Sequence, residues 1–176
     1  MFQRAVWRWE HFDEAAGQAL MQTFRANGTA WVPTLTVTER MILGRSHDGE
    51  AQPDEAVIAS LREALVKSAQ LAVHQHRQGG LVGVATDFPV DGVEPGTSVH
   101  RELELLVSLG GATPLEALQM ATLRSAEILG FGDITGTVEP ERLANLVVLR
   151  ENPLADVANT RSIELVLHDG RLHRSD

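Results

Sequence analysis

Cysteine is absent from all 176 residues. That removes disulfide frameworks, thiolate zinc sites and cysteine nucleophiles together. No apolar run approaches the ~20 residues that cross a bilayer, so neither a transmembrane helix nor a membrane partner is expected. The N-terminus, Met1-Phe2-Gln3-Arg4-Ala5-Val6-Trp7-Arg8-Trp9-Glu10, starts basic but has no long apolar core and no small-residue cleavage site. It does not read as a signal peptide, and a cytoplasmic location is the default expectation. Basic residues are also scarce: 15 Lys and Arg against 24 Asp and Glu leave a net charge of -9. A nucleic-acid backbone binder needs a concentrated basic surface, so nucleic acid is not an expected partner. Also missing are the phosphate loop G-x-x-x-x-G-K, the dinucleotide fingerprint G-x-G-x-x-G, the nucleophile elbow G-x-S-x-G and the helical zinc pattern H-E-x-x-H.

What is present is ordinary for a globular chain. Hydrophobic residues make up 43% and charged residues 22%, which excludes disordered, collagen-like and coiled-coil classes. Asp13 reads as the cap of a helix to about Asn27, with Ala16, Leu20 and Phe24 as its buried stripe. Residues 5–10 suggest a short strand, and Thr29 to Thr38 is strand-rich, interrupted by Pro33. Residues 39–52 read as a loop. Pro53 suits the first turn of a long helix with Val57, Leu61 and Leu65 on one face and Gly79-Gly80 as its stop. The run Leu81-Val82-Gly83-Val84-Ala85 has no alternation and fits a strand covered on both faces. A polar loop from Asp87 to Ser98 precedes a helix over about His100 to Leu109.

Thr113-Pro114-Leu115-Glu116 is a capping box with proline at the first helical position. The helix it opens carries Leu118, Ala121 and Ala126 to a stop at Gly130. Short β segments follow at Thr135–Val138, Leu146–Leu149 and Ile163–Leu167, with Asp169-Gly170 as a two-residue hairpin turn. Strand-helix alternation over the first 130 residues implies an α/β fold with a parallel sheet. The last 45 residues form a small antiparallel region.

Five histidine and aspartate positions are candidates for chemistry. His74 and His76 are two apart near the end of a helix, where such residues point about 200° apart. Solvated or C-terminal-turn histidines favoured by the helix dipole explain them better than a shared metal. Asp87 stands just past a buried run, at the mouth where parallel βα folds build active sites. There a carboxylate ligates a cation or takes a proton from metal-bound water; the alternative is a turn aspartate bonding local amides. His11 lies at the end of the first strand or in the entry turn of the first helix. His100 opens the helix after the long loop, to meet a substrate or to satisfy the loop backbone.

Five stretches, in order, resemble the C-terminal part of the amidohydrolase superfamily, in its imidazolonepropionase-like and prolidase-like branch. They are Asn27-Gly28-Thr29-Ala30-Trp31-Val32-Pro33-Thr34-Leu35; Ala85-Thr86-Asp87; Val99-His100-Arg101-Glu102-Leu103-Glu104-Leu105-Leu106-Val107; Thr113 to Leu118 with Ala121-Thr122; and Gly136-Thr137-Val138-Glu139-Pro140, continuing through Leu143–Leu149 to Asn152–Asp156. The resemblance spans residues 13 to 173.

It implies a metal-dependent (β/α)8 barrel flanked by a small β-sandwich built from both chain ends. Thr29–Thr38 would then be the seventh barrel strand, 53–78 its helix, Leu81–Ala85 the eighth strand, and 133–173 the C-terminal share of the sandwich. The expected fold class is thus the last two or three βα units of a TIM-like barrel over residues 1–131, and part of a composite sandwich over 132–176.

The same resemblance implies a hydrolase of carbon-nitrogen bonds, non-peptide or dipeptide amides, working through metal-activated water. The cofactor would be a divalent metal, zinc first, and the substrate a small amide or dipeptide-like molecule. Asp87 falls on the family's eighth-strand aspartate, a metal ligand and proton acceptor. His11 corresponds to the sixth-strand histidine, a second metal ligand, while His100 remains a substrate-binding candidate from its place alone.

The departures are specific. Ala85, Phe88 and Pro89 replace the glycine, alanine and glycine usual around Thr-Asp; Asn145 replaces an aspartate and Glu141 a glycine. Phe88 and Pro89 would narrow the mouth. The family's first-strand His-x-His, fourth-strand lysine and fifth-strand histidine have no counterpart. A (β/α)8 barrel alone takes about 250 residues, so the length reads as that of a fragment. Its partners would be the missing N-terminal half of the barrel or a second copy, because an unclosed sheet invites self-association. The competing expectation is a non-catalytic remnant serving as a subunit or interaction module.

Overall fold

The computed structural model describes residues 13–43, 54–90 and 92–174. Within them the helices are α1 (Glu14–Ala26), α2 (Leu35–Ile42), α3 (Glu55–Arg77), α4 (Ser98–Ser108), α5 (Pro114–Gln119) and α6 (Ser125–Ile128), with a π turn, Met120–Arg124, between the last two. A second unit follows: β1 (Leu146–Leu149), a 3-10 helix (Val157–Arg161), β2 (Ile163–His168) and β3 (Arg171–Arg174). The expected first strand and His11 lie outside the described residues. No helix among the described residues is long and apolar enough to cross a membrane.

The core gathers Leu35, Leu65, Ala69, Ala72, Val73, Val82, Leu103, Leu105, Leu106, Ala117 and Met120. Helix α3 faces it with Leu65, Ala69, Ala72 and Val73, and also buries Leu61 and Ala64 near its start, a periodic stripe of the kind that drives a helix onto a core. Helix α1 starts at the expected cap, where the Asp13 carboxylate accepts the Ala16 N–H at 3.1 Å. Its expected stripe does not turn inward: Leu20 is exposed and Met21 is buried instead. A polar tether sets this rotation. The buried Gln75 amide donates to the Met21 carbonyl at 3.2 Å and accepts from Arg25.

The strand expected over Thr29–Thr38 is much shorter. A single parallel bridge pairs Trp31 with Val82: Trp31 N–H donates to the Leu81 carbonyl at 2.9 Å, and Gly83 N–H to the Trp31 carbonyl at 3.1 Å. The β-branched residues from Thr36 to Thr38 belong to α2. Their strand preference loses because Thr34 takes a left-handed conformation (φ 48°) and turns the chain, and a buried carboxylate satisfies the first α2 amides. Past the bridge, Val84 N–H donates to the Ser125 hydroxyl at 3.2 Å, and that hydroxyl donates to the Met120 carbonyl at 2.8 Å. The second parallel segment is thus fastened to the π turn.

The capping box is formed as expected. Thr113 accepts the Glu116 N–H, and the Glu116 carboxylate accepts the Thr113 N–H at 2.7 Å. The helix beyond it is not uniform, because the π turn resets its phase. Ala117, Met120 and Ala126 are buried, while Leu118 and Ala121 are only half-buried. No strand forms at Thr135–Val138. Gly136 has φ +99° and lies so close to α6 that an added Cβ would sit 2.8 Å from the Ala126 Cβ, a geometry no extended strand provides.

The C-terminal unit is an antiparallel sheet in the order β1-β2-β3, with Val147 opposite Val166 and His168 opposite Arg171. Asp169 (φ 49°) and Gly170 (φ 70°) both sit at positive φ, as the two-residue hairpin requires.

Candidate active site

The Trp31–Val82 bridge aligns two chain segments in parallel, and each leaves it through a non-glycine residue in the left-handed region. The first ends at Thr34 and the second at Asp87 (φ 57°). Two such outliers at one end of paired parallel segments mark a constrained mouth, since strain of this kind concentrates at functional sites.

Asp87 is exposed. Its backbone carbonyl accepts the Val90 N–H at 3.1 Å, closing the turn. Among the described residues its carboxylate has neither a hydrogen bond nor an ion pair. A turn aspartate of the ordinary kind would spend its side chain on local amides; here the backbone makes the turn and the carboxylate stays free. Phe88 beside it is 56% exposed.

Glu102 is the opposite case. It lies on α4 at 0% exposure, and its two oxygens accept the Leu35 N–H at 2.6 Å and the Thr36 N–H at 2.8 Å. Burial pushes its pKa above the ordinary carboxylate value, while those two amides pull the other way. Around it, Arg101 forks onto Glu39 at 2.9 and 2.6 Å and reaches Glu104 at 2.9 Å, which also accepts Arg161 at 2.8 Å. The bond to Glu39 holds Arg101 above its ordinary pKa. Burial alone would raise Glu104, but the bonds from Arg161 and Arg101 carry it below its usual value. Helix α4 is thereby tied to α2 on one side and to the 3-10 helix on the other.

Among the described residues, the His100 ring bonds neither a loop carbonyl nor a loop amide. Its Nδ1 lies 2.9 Å from the Thr160 hydroxyl, and that hydroxyl donates to the Val157 carbonyl at 2.8 Å. With the hydroxyl proton spent, Nδ1 must be the donor, which leaves Nε2 as an acceptor in the neutral ring. Burial, then the Arg161 charge, lowers the His100 pKa and favours that neutral form. His74 is exposed and His76 buried, so the pair does not share a face.

Among the described residues, no group of three or more histidine, aspartate and glutamate side chains is gathered to hold a metal. Zinc sites take three or four protein ligands, and at this mouth Asp87 is a single donor. The described residues therefore do not complete a metal centre. Sequence reasoning missed Glu102, although its signal was present: Ser98, Glu102 and Leu106 recur at four-residue spacing, which places a carboxylate on an apolar helix face.

A free carboxylate at the C-terminal end of paired parallel segments, backed by helices, is the arrangement of α/β proteins that handle a ligand above their strand ends. The model of the Amidohydrolase family matches residues 58–172, and the chain belongs to that family. It is 27% identical over 154 residues to the ochratoxinase of Aspergillus niger, covering 87% of this chain and 30% of that protein. It is 34% identical over 86 residues to the imidazolonepropionase of Pseudomonas putida, covering 47% of this chain and 20% of that one. The crystal structure of a Xaa-Pro dipeptidase with bound methionine in its active site superposes with a TM-score of 0.71 at 23% identity, over 99% of this chain and 42% of that one. The chain thus spans under half the length of each.

Proposed function

We propose that the chain supplies the Asp87 side of a hydrolytic site acting on carbon-nitrogen bonds, with a small amide or a dipeptide as substrate. The observation that carries this reading is the free, exposed carboxylate held at the mouth by a left-handed backbone. Family membership and relatives that include a dipeptidase and an ochratoxinase support the bond class. In this reading residues 1–131 are the last βα units of a barrel, 132–176 are the C-terminal share of a sandwich, and the protein acts in the cytoplasm.

A divalent metal, zinc first, would supply an activated water. Its remaining ligands must come from outside the described residues, His11 among them, or from residues outside this sequence. Asp87 would take the proton of the attacking water and return it to the leaving nitrogen. His100, with Nε2 as an acceptor, is a candidate contact for a substrate N–H.

Zinc titration and hydrolysis of proline dipeptides and N-acyl amino acids, by the chain and by Asp87→Asn, test the proposal. Stoichiometric zinc and turnover that falls by at least about 10²-fold in the variant support it, the range a positioned acid-base group provides. Undiminished turnover in Asp87→Asn overturns the role of Asp87. Neither zinc nor turnover, with or without an added N-terminal half from a relative, would establish the non-catalytic remnant instead.

A further inference from the structure

Glu102 is 0% exposed, yet the sequence places it in a helix whose other inward residues are apolar apart from Ser98. Taking a carboxylate out of water is costly unless hydrogen bonds replace its hydration. The replacement here comes from 66 and 67 residues away: the two N–H groups of Leu35 and Thr36. These open α2, and Thr34, the residue before them, forms no side-chain cap. An α-helix leaves its first amides without internal partners. Glu102 therefore does from another helix what a cap residue does locally.

The amides it holds follow directly on a strained residue. Thr34 is β-branched and sits at φ 48°, a strained conformation for an L residue that persists only where neighbours over-determine it. Its segment pairs with the one that ends at Asp87.

We propose that Glu102 is a positioning residue: its buried carboxylate fixes the Thr34 turn, and so sets the wall of the mouth beside Asp87. The functional consequence rests on the hydrolytic reading of that mouth; the clamp itself does not. The charged group that α2 turns toward Glu102 is Glu39, already paired with Arg101. On the side of the 3-10 helix, Arg161 is spent on Glu104. Helix α3 contributes apolar residues, Leu65 and Ala69, to the shared core. No cation competes with the two amides in these contacts, so the clamp depends on the charge state of Glu102 itself.

Residue-resolved amide hydrogen exchange on the unliganded chain tests this. In Glu102→Gln, exchange at Leu35 and Thr36 should accelerate at least tenfold, while Ala69 and Val73 in α3 keep their wild-type protection. In the wild type, protection at the same two amides should fall as acid titrates Glu102, and that step should vanish in the variant. Glu102→Asp, which keeps the charge, should restore part of the protection. Adding Thr34→Gly to Glu102→Gln should recover part of it too, because a turn without strain needs less holding.

Protection within twofold of wild type in Glu102→Gln overturns the proposal. So does acceleration spread evenly over α3. If Glu102→Gln does not fold, the wild-type pH profile alone decides, and a flat profile at Leu35 and Thr36 overturns the clamp. The hydrolytic reading fails separately: Asp87→Asn must leave both amides protected whatever it does to turnover.

Discussion

Thr34 and Asp87 leave the same parallel bridge at the same end, and both adopt a backbone that few L residues take. They differ in what holds them. The turn at Thr34 is followed by two amides bonded to a fully buried carboxylate, with a guanidinium–carboxylate fork between α2 and α4 beside it. The turn at Asp87 is closed only by its own backbone, and its carboxylate faces outward without a partner among the described residues. One carboxylate is consumed by structure and the other is kept out of it. Both are acidic residues near the same mouth, so residue type does not separate the roles; burial and bonding do.

Truncation should expose this difference most. Glu102→Ala leaves two buried N–H groups without acceptors, each worth about 1–3 kcal/mol, so a loss of about 2–6 kcal/mol is expected in urea unfolding. Asp87→Asn, which keeps a residue tolerant of the left-handed backbone and removes only the charge, should stay within about 0.5 kcal/mol of wild type. A loss at Asp87 equal to that at Glu102 would break the comparison.

Much of this architecture was legible in the sequence where local chemistry decides. The capping box at Thr113, the Asp13 cap, the Asp169-Gly170 hairpin and the α3 stripe all follow from neighbouring residues, and all are formed. Two readings failed where distant residues decide. The β-branched run at Thr36–Thr38 became helix because Glu102, far along the chain, satisfies its amides. Leu20 lost its expected place in the core to Met21 because Gln75 tethers that side of α1. At the site, Asp87 was picked out by its position after an apolar run, whereas its freedom from local bonds needed coordinates. Glu102 sat in plain view on an apolar helix face. Its partners were invisible, because backbone amides 66 and 67 residues away leave no trace in residue type.

A third carboxylate sharpens the contrast through pH. Glu116 also accepts a helix-start amide, but at the surface, and its bond from Arg77 holds its pKa down to about 2. The two glutamates should therefore titrate with opposite signs. For Glu116 the folded pKa is depressed below the ordinary 4.5. Its contribution is full above that value and is lost as pH falls toward about 2. For Glu102 the folded pKa is raised, so its contribution to global stability grows as acid protonates it, even while the clamp on α2 slackens. Glu116→Gln should flatten part of the acid loss of stability, and Glu102→Gln should steepen it. Glu116→Ala, losing the box, should cost about 1 kcal/mol near neutrality. Unfolding measured from pH 2 to 7 reads all three, and like signs for the two Gln variants would overturn the assignment.

The smallest effect isolates backbone strain from bonding. Replacing Thr34 with glycine removes roughly 1–2 kcal/mol of left-handed strain and adds roughly 0.5–1 kcal/mol of backbone entropy cost, for a net gain of about 0.5–1 kcal/mol. Aspartate visits the left-handed region more readily than a β-branched residue, so Asp87→Gly should gain less, close to zero. If the Thr34 turn is held against strain by Glu102, its glycine gain should be smaller in the Glu102→Gln background, where the unclamped threonine turn can relax and has less strain to lose. The gain at Asp87 should be the same in both backgrounds. Four unfolding curves at each position form the cycle, and an equal gain at Thr34 with and without the buried carboxylate would mean that the clamp and the strain are independent.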